Sequence, residues 1–262
     1  MLTDYGRDDD FVGVCHAVIL GIAANTLIVD VTHGIPRHDV RQGALVLRNT
    51  LPYLPKGVHM AVVDPQVGTE RRGVALRTGD ARMFVAPDNG LLSLAWERAG
   101  GVIEAVDISR STHRLEPVSA TFHGRDLFAP VAAHLSAGAP LAEAGEPLDP
   151  DELATIELPQ PRFEDGTVVA HVLSIDRFGN VALNVAHDDL AGTGIVLGRQ
   201  VELQSGGERF LALVAQTFAD VQPGEILVYE DSYRSLAIAI NRGDAAATLQ
   251  LGRDSEVRIT PR

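Results

Sequence analysis

The chain has 262 residues and a formal net charge of −13, from 22 Lys and Arg against 35 Asp and Glu. That acidic balance argues against non-specific nucleic-acid binding, whose affinity comes largely from Lys and Arg on phosphates. At 45% hydrophobic and 22% charged residues the composition is that of an ordinary globular protein, and no apolar run reaches the ~20 residues a bilayer span needs.

In chain order, residues 1–3 read as the end of a first strand. Residues 11–24 read as a helix, introduced by Asp8, Asp9 and Asp10, acids that suit a helix N-terminus and its cap. Cys15 lies inside that run and reads as core. As the single cysteine it cannot form an internal disulfide, and the start turns acidic at once, without a secretory leader; both point to the cytoplasm. The β-branched run 26–31 reads as a buried strand. Helical patterns follow over 40–51, 91–99 and 127–137, with strands over 58–63, 74–78, 83–86 and 102–106. Strands alternating with helices imply an α/β domain with a largely parallel sheet.

From about residue 165 the pattern changes. Strand-like runs cover 167–175, 180–185, 200–203, 210–215, 225–229, 236–240 and 256–260. Short strands separated by turn signals imply a smaller all-β domain, barrel-like in kind. Prolines 147, 150, 159 and 161 space the boundary. The expected organisation is an α/β domain over 1–155, a linker over 156–165 and a β-barrel over 166–262.

Three constellations carry chemical potential. In Thr3-Asp4-Tyr5-Gly6-Arg7-Asp8-Asp9-Asp10 an acid sits at a strand's C-terminal end, before a helix N-terminus. That is where α/β sheets bind ligands, and a carboxylate there can accept two hydrogen bonds from a ribose diol. The second joins Asp64 and Arg71, after the apolar run 58–63, to His123 in Phe122-His123-Gly124-Arg125-Asp126. An acid, a guanidinium and an imidazole can hold and deprotonate a small nucleophile; a turn initiator, a solvated charge and a loop histidine are the plainer readings. A metal site at His123 lacks any supporting His or Cys spacing, so no metal is expected there. The third is Ser174-Ile175-Asp176-Arg177-Phe178-Gly179-Asn180, with Asp231-Ser232-Tyr233 later. Asp176 suits an ammonium group, Phe178 a flat ring and Asn180 a base edge. A hairpin turn explains the same residues, since Gly and Asn favour positive φ.

Together these segments resemble the S-adenosyl-L-methionine (SAM) hydroxide adenosyltransferases, relatives of the 5′-fluorinase and 5′-chlorinase. The landmarks run nearly end to end: Leu2-Thr3-Asp4-Tyr5-Gly6, Val31-Thr32-His33-Gly34-Ile35-Pro36, Val63-Asp64-Pro65 through Val67-Gly68, Ala86-Pro87-Asp88-Asn89-Gly90-Leu91-Leu92, Phe122 to Asp126, Ile175 to Asn180 and Ser232 through Asn241. The resemblance implies an α/β domain followed by a β-barrel, and a homotrimer with active sites between subunits. It implies hydrolysis of SAM to adenosine and L-methionine, with no cofactor. Asp64, Arg71 and His123 would activate water, with either Asp64 or His123 taking the proton. Asp4, Asp9, Asp176, Phe178, Asn180, Ser232 and Asn241 would contact the substrate: Asp4 the ribose hydroxyls, Asp176 and Ser232 the methionine ammonium and carboxylate, Phe178 and Asn180 the adenine. The halogenases place an aromatic residue where Asp64 stands and lack the histidine that matches His123, and the fluorinase has a serine where Gly124 stands. His38 and Tyr233-Arg234 depart from the family pattern, which has an aromatic or large apolar residue at the first and a glycine-containing pair at the second. A SAM-dependent halogenase and a non-catalytic SAM- or adenosine-binding protein are the alternatives.

Overall fold

The computed structural model describes residues 1–262. The chain divides into two compact units, Met1–Ile156 and Glu157–Arg262.

In the first unit β1 (Leu2–Thr3) leads to α1 (Phe11–Ile22), α2 (Val40–Thr50), β2 (Val58–Val62), β3 (Gly73–Thr78), β4 (Met83–Pro87), α3 (Ser93–Arg98), β5 (Val102–Asp107), α4 (Ala129–Ser136) and β6 (Glu146–Leu148). The six strands lie in the order β1-β2-β4-β3-β5-β6. The sheet is mixed: β1-β2 and β2-β4 run parallel, while β4-β3, β3-β5 and β5-β6 run antiparallel. The antiparallel half follows from the four-residue link between β3 and β4, which is too short for a crossover helix. One core joins Cys15 and Ile19 of α1 and Val131 and Leu135 of α4 to Met60, Val62, Val85 and Val106 of the sheet. Cys15 is fully buried there, and burial pushes its thiol up to about 12.

Two expectations for this unit are corrected. The run 26–31 is not a buried strand. It is extended beside β1, joined by Val31 N–H to Met1 O (2.8 Å), Thr3 N–H to Thr32 O (3.0 Å) and a single bridge between Leu2 and Thr32. Leu27 is 86% exposed. β-Branched residues favour extended backbone, but β1 is only two residues long and cannot carry a ladder across the segment. The acids before α1 do not cap it either: Asp10 occupies the N-cap position without a side-chain hydrogen bond, and Asp8 to Asp10 are exposed.

The second unit holds β7 (Arg162–Glu164), β8 (Thr167–Ile175), β9 (Val181–Ala186), β10 (Gln200–Ser205), β11 (Glu208–Val214), β12 (Ile226–Glu230), β13 (Ser235–Ile240), a short α5 (Ala245–Thr248) and β14 (Glu256–Pro261). β7 falls inside the stretch expected as linker and extends the sheet beside β8. The circuit β8-β9-β13-β12-β11-β10-β14 closes because β14 pairs back onto β8, giving a seven-stranded barrel. Only β11 and β12 are parallel neighbours in it. Closure removes exposed strand edges. Inward-facing Val168, Val172, Leu183, Leu203, Val228, Ile238, Val257 and Ile259 fill the interior.

Candidate functional site

Three strand or helix ends bring the charged residues of the first unit together. β2 finishes at Val62, and buried Val63 is pinned when Asn89 donates its side-chain amide to the Val63 carbonyl (2.9 Å). Asp64 is the next residue. Arg71 lies just before β3. His123 precedes a π-type turn over Gly124–Phe128, in which Ala129 N–H donates to Gly124 O. Such single π turns are rare and are frequent at functional sites.

Arg71 is the centre of this cluster. Its Nε donates to Asp64 Oδ1 (3.0 Å) and its Nη2 to Asp64 Oδ2, a two-pronged pair. Nη1 donates to Arg72 O (3.2 Å). Nη2 also donates to His123 Nδ1 at 3.0 Å. The guanidinium lies over the Phe128 ring, 5.2 Å from its centroid. Arg71 and Asp64 side chains are 4% and 6% exposed, so the pair is removed from bulk water.

The Arg71–His123 bond fixes a tautomer. Arginine has donors and no acceptor, so His123 Nδ1 must accept. A neutral His123 therefore carries its proton on Nε2. Burial, then the positive charge of Arg71, pushes the imidazole below its usual range, which keeps it neutral.

Asp4, Asp9, Asp64 and His123 line one cavity of about 330 Å³ with Tyr5, Phe11, Arg37, His38, Val62, Val67, Thr121, Phe122 and Gly124. Asp4 is held by His38, whose N–H donates to Asp4 Oδ2 (2.9 Å) and whose φ is +64°. Phe11, Phe122 and Tyr5 form an aromatic wall, with Phe11 and Phe122 rings 5.0 Å apart edge to face. The Tyr5 hydroxyl stands where a Cβ at position 124 would project, which explains why a glycine is needed there. Burial first, then nearby Cys15, Asp4 and Asp64, pushes the Tyr5 phenol well above its usual range. Tyr5, Phe11, Arg37, Thr121 and Phe122 escaped the sequence reading as site residues; only the closeness of Tyr5 to Asp4, and of Thr121 and Phe122 to His123, signalled them. The Arg125–Asp126 pair is structural: Arg125 Nε donates to Asp126 Oδ1 (2.6 Å), and Asp126 Oδ2 accepts from Ser119 N–H (2.8 Å).

In the second unit Asp176, Phe178 and Asn180 share the β8–β9 turn. The Asp176 carboxylate accepts from Phe178 N–H (2.8 Å), Asn180 N–H (3.0 Å) and Asn180 Nδ2 (2.8 Å). Gly179, at φ +79°, packs so closely on Asp244 that no Cβ fits. Asp176 is thus the organiser of a hairpin turn, and Phe178 is left 67% exposed at its tip. Ser232 sits in the β12–β13 turn, where Asp231 Oδ1 accepts from Tyr233 N–H (2.8 Å) and Ser235 N–H (2.9 Å). The two turns converge on Tyr229, whose phenol is pushed up to about 12 by burial and then by Asp176 and Asp231. Asn241 is engaged otherwise: its Nδ2 donates to Val221 O (2.8 Å).

Comparison with known proteins places this geometry in context. Residues 1–145 match the SAM hydroxide adenosyltransferase N-terminal domain and residues 170–258 the C-terminal domain of that family. An (R)-S-adenosyl-L-methionine hydrolase of Salinispora tropica is 46% identical over 98% of this chain and 95% of its own. One from Thermus thermophilus is 37% identical over 98% and 97%. A fluorinase from an Actinoplanes species is 33% identical over 99% and 96%. The crystal structure of an uncharacterised conserved protein from Thermotoga maritima superposes with a TM-score of 0.92 at 38% identity, covering 99% of this chain and 98% of that one.

Proposed function

The chain belongs to the SAM hydroxide adenosyltransferase family, and from that premise we propose that it hydrolyses S-adenosyl-L-methionine to adenosine and L-methionine. The single observation that carries the reading is the Asp64–Arg71–His123 cluster at the wall of the first unit's cavity.

The sulfonium is already a good leaving group, so the protein's task is the nucleophile. Free water is a poor one, with a pKa of about 15.7. In this reading a water donates one hydrogen to Asp64 and accepts from His123 Nε2–H, which leaves an oxygen lone pair for the ribose C5′. The O–C5′ bond forms as the C5′–S bond breaks, and the electron pair returns to sulfur as the methionine thioether. The water's proton goes to Asp64. His123 is not the base, because Arg71 holds its Nδ1 lone pair and its Nε2 is protonated. Asp64 keeps acceptor capacity at Oδ2, which offers a second lone pair beyond the one used by Arg71, whereas Oδ1 also accepts from Gln66 N–H (3.3 Å). Fixing the water in line contributes part of the ~7–11 kcal/mol that orientation supplies in the best cases. Asp4 and Asp9 take the ribose side of the substrate; Asp176, Phe178, Asn180 and Ser232 take its adenine and methionine side. Asn241 is a weaker contact, given its bond to Val221.

The halogenase alternative draws on the fluorinase relatives. Against it, Asp64 places a carboxylate at the cavity where a halide would have to sit, and like charges in a buried site repel strongly. The assembly we propose is a homotrimer with active sites between subunits, and the location the cytoplasm. No helix is long and apolar enough to cross a membrane.

Purified protein incubated with each sulfonium epimer of SAM tests the activity, with adenosine followed by chromatography and oxygen-labelled water as the nucleophile. Label at the ribose 5′ oxygen is the expected result, with faster turnover of the (R) epimer, as the relatives' names specify. Absence of adenosine above a His123→Ala background would leave a binding protein. A 5′-halo-adenosine dependent on chloride or fluoride would leave a halogenase. Light scattering on eluting protein reads the assembly.

A further inference from the structure

Away from the cavity, His16 of α1, Asp30 of the extended segment and His33 bring one ligand atom each together, with His16 Nε2 hydrogen-bonded to Asp30 Oδ1. His16 Nε2 and His33 Nε2 each lie 3.0 Å from Asp30 Oδ1, and the three atoms all fall within 4.8 Å of one another. None of the three residues lines the cavity.

His33 is 1% exposed, and its Nδ1 lies 2.8 Å from Thr3 Oγ1. Its Nε2 is buried and faces Asp30 Oδ1 at 3.0 Å as its one polar neighbour, without a well-directed hydrogen bond. A nitrogen buried in that way costs free energy unless something satisfies it. In the tautomer that donates Nδ1–H to Thr3 Oγ1, Nε2 offers its lone pair to an ion shared with Asp30 Oδ1. Metal-ligating histidines have their second ring nitrogen fixed by a hydrogen-bond partner, a place the Thr3 hydroxyl takes here.

We propose that His16, Asp30 and His33 bind a divalent transition-metal ion of the zinc class. Two imidazoles and a carboxylate suit zinc, nickel or copper rather than magnesium or calcium. His16 and Asp30 side chains are 28% and 29% exposed, which gives the ion an entry path and room for water at its remaining positions. The ion would tie α1 and the 26–33 segment to β1. Thr3 Oγ1 also accepts from Tyr5 N–H (3.2 Å), and Gly6 N–H donates to His33 O (2.8 Å). The site therefore braces the segment that carries Asp4, and its role is structural. The proposal does not depend on the hydrolase reading.

The test is titration of the chelator-treated full-length protein with zinc chloride by calorimetry, and with cobalt(II) by visible absorption. One equivalent should bind, with a tetrahedral-type cobalt spectrum and a raised Tm. His16→Ala and Asp30→Asn, both at partly exposed positions, should each weaken binding at least tenfold, and Thr3→Val by about 10–100-fold. His134→Gln is the control, since His113 and His134 stack with centroids 4.3 Å apart and form a second histidine pair; it should change nothing. No binding at millimolar zinc, binding unchanged in His16→Ala and Asp30→Asn, or loss only in His134→Gln would each overturn the proposal and leave a histidine–aspartate ion cluster.

Discussion

Replacing Arg71 with leucine removes the centre of the cluster while keeping part of its packing on Phe128. The variant deletes both bonds to Asp64, the bond to His123 Nδ1 and the bond to Arg72 O. Asp64, 6% exposed in its side chain, becomes a buried carboxylate without its counter-charge. Breaking a buried pair from one side costs about 3–5 kcal/mol. In a unit of this size each kcal/mol shifts Tm by about 2–4 °C, so a fall of roughly 6–20 °C is expected. The companion Asp64→Asn/Arg71→Leu removes both charges and should recover much of that loss, because most of the cost is the stranded carboxylate rather than the absent pair. Both variants should be inactive, since neither orients water. Thermal unfolding and adenosine release, measured on the two single variants and the double variant, separate the effects. Additive losses in stability would refute the buried-pair argument, and an active Arg71→Leu would refute the water-activation argument.

Three further outcomes follow from the same geometry. Gly124→Ala drives a methyl into the Tyr5 hydroxyl; it should lose activity and about 1–3 kcal/mol of stability, typical of overpacking. Tyr5→Phe in the same chain should restore part of both, leaving the ring carbon 3.0 Å from the new Cβ as residual strain. For His123, burial and Arg71 hold the pKa below the usual 6.5, so turnover should stay flat through pH 6.5 and fall only in more acidic buffer as the imidazole charges. A pH–rate profile with its acid limb above 6.5 would contradict this. His59, stacked on Phe84 at 5.0 Å, is pushed down to about 4 by burial and then by Arg82. Between pH 6.5 and 4 the unfolded chain binds a proton that the folded chain refuses, so stability falls as pH falls through that window, by up to about 3 kcal/mol. Denaturant titrations across the window should show a slope that His59→Leu removes.

Much of the architecture was legible from pattern. Apolar runs such as 58–63 and 167–175 announced β2 and β8, and proline spacing placed the change from α/β to all-β near the observed division at Ile156. The run 26–31 misled because β-branching reports an extended backbone and not a pairing partner. Asp10 misled because residue type and position favour a cap while the side chain's direction decides it. Asp64, Arg71 and His123 were identified as residues, but not as a bonded set.

The amino-acid sequence by itself determined the class of each element, the acid-rich character, the single buried cysteine and the identity of the charged groups at strand ends, because those depend on local spacing and composition. Only the tertiary structure decided the order of strands, the closing of the barrel by β14 on β8, and the partnership of residues 52 positions apart in Arg71 and His123. That last contact sets the His123 tautomer, on which the proposed role of Asp64 as proton acceptor rests. A hydrogen bond's direction depends on where two side chains meet in space, and no one-dimensional spacing carries that information.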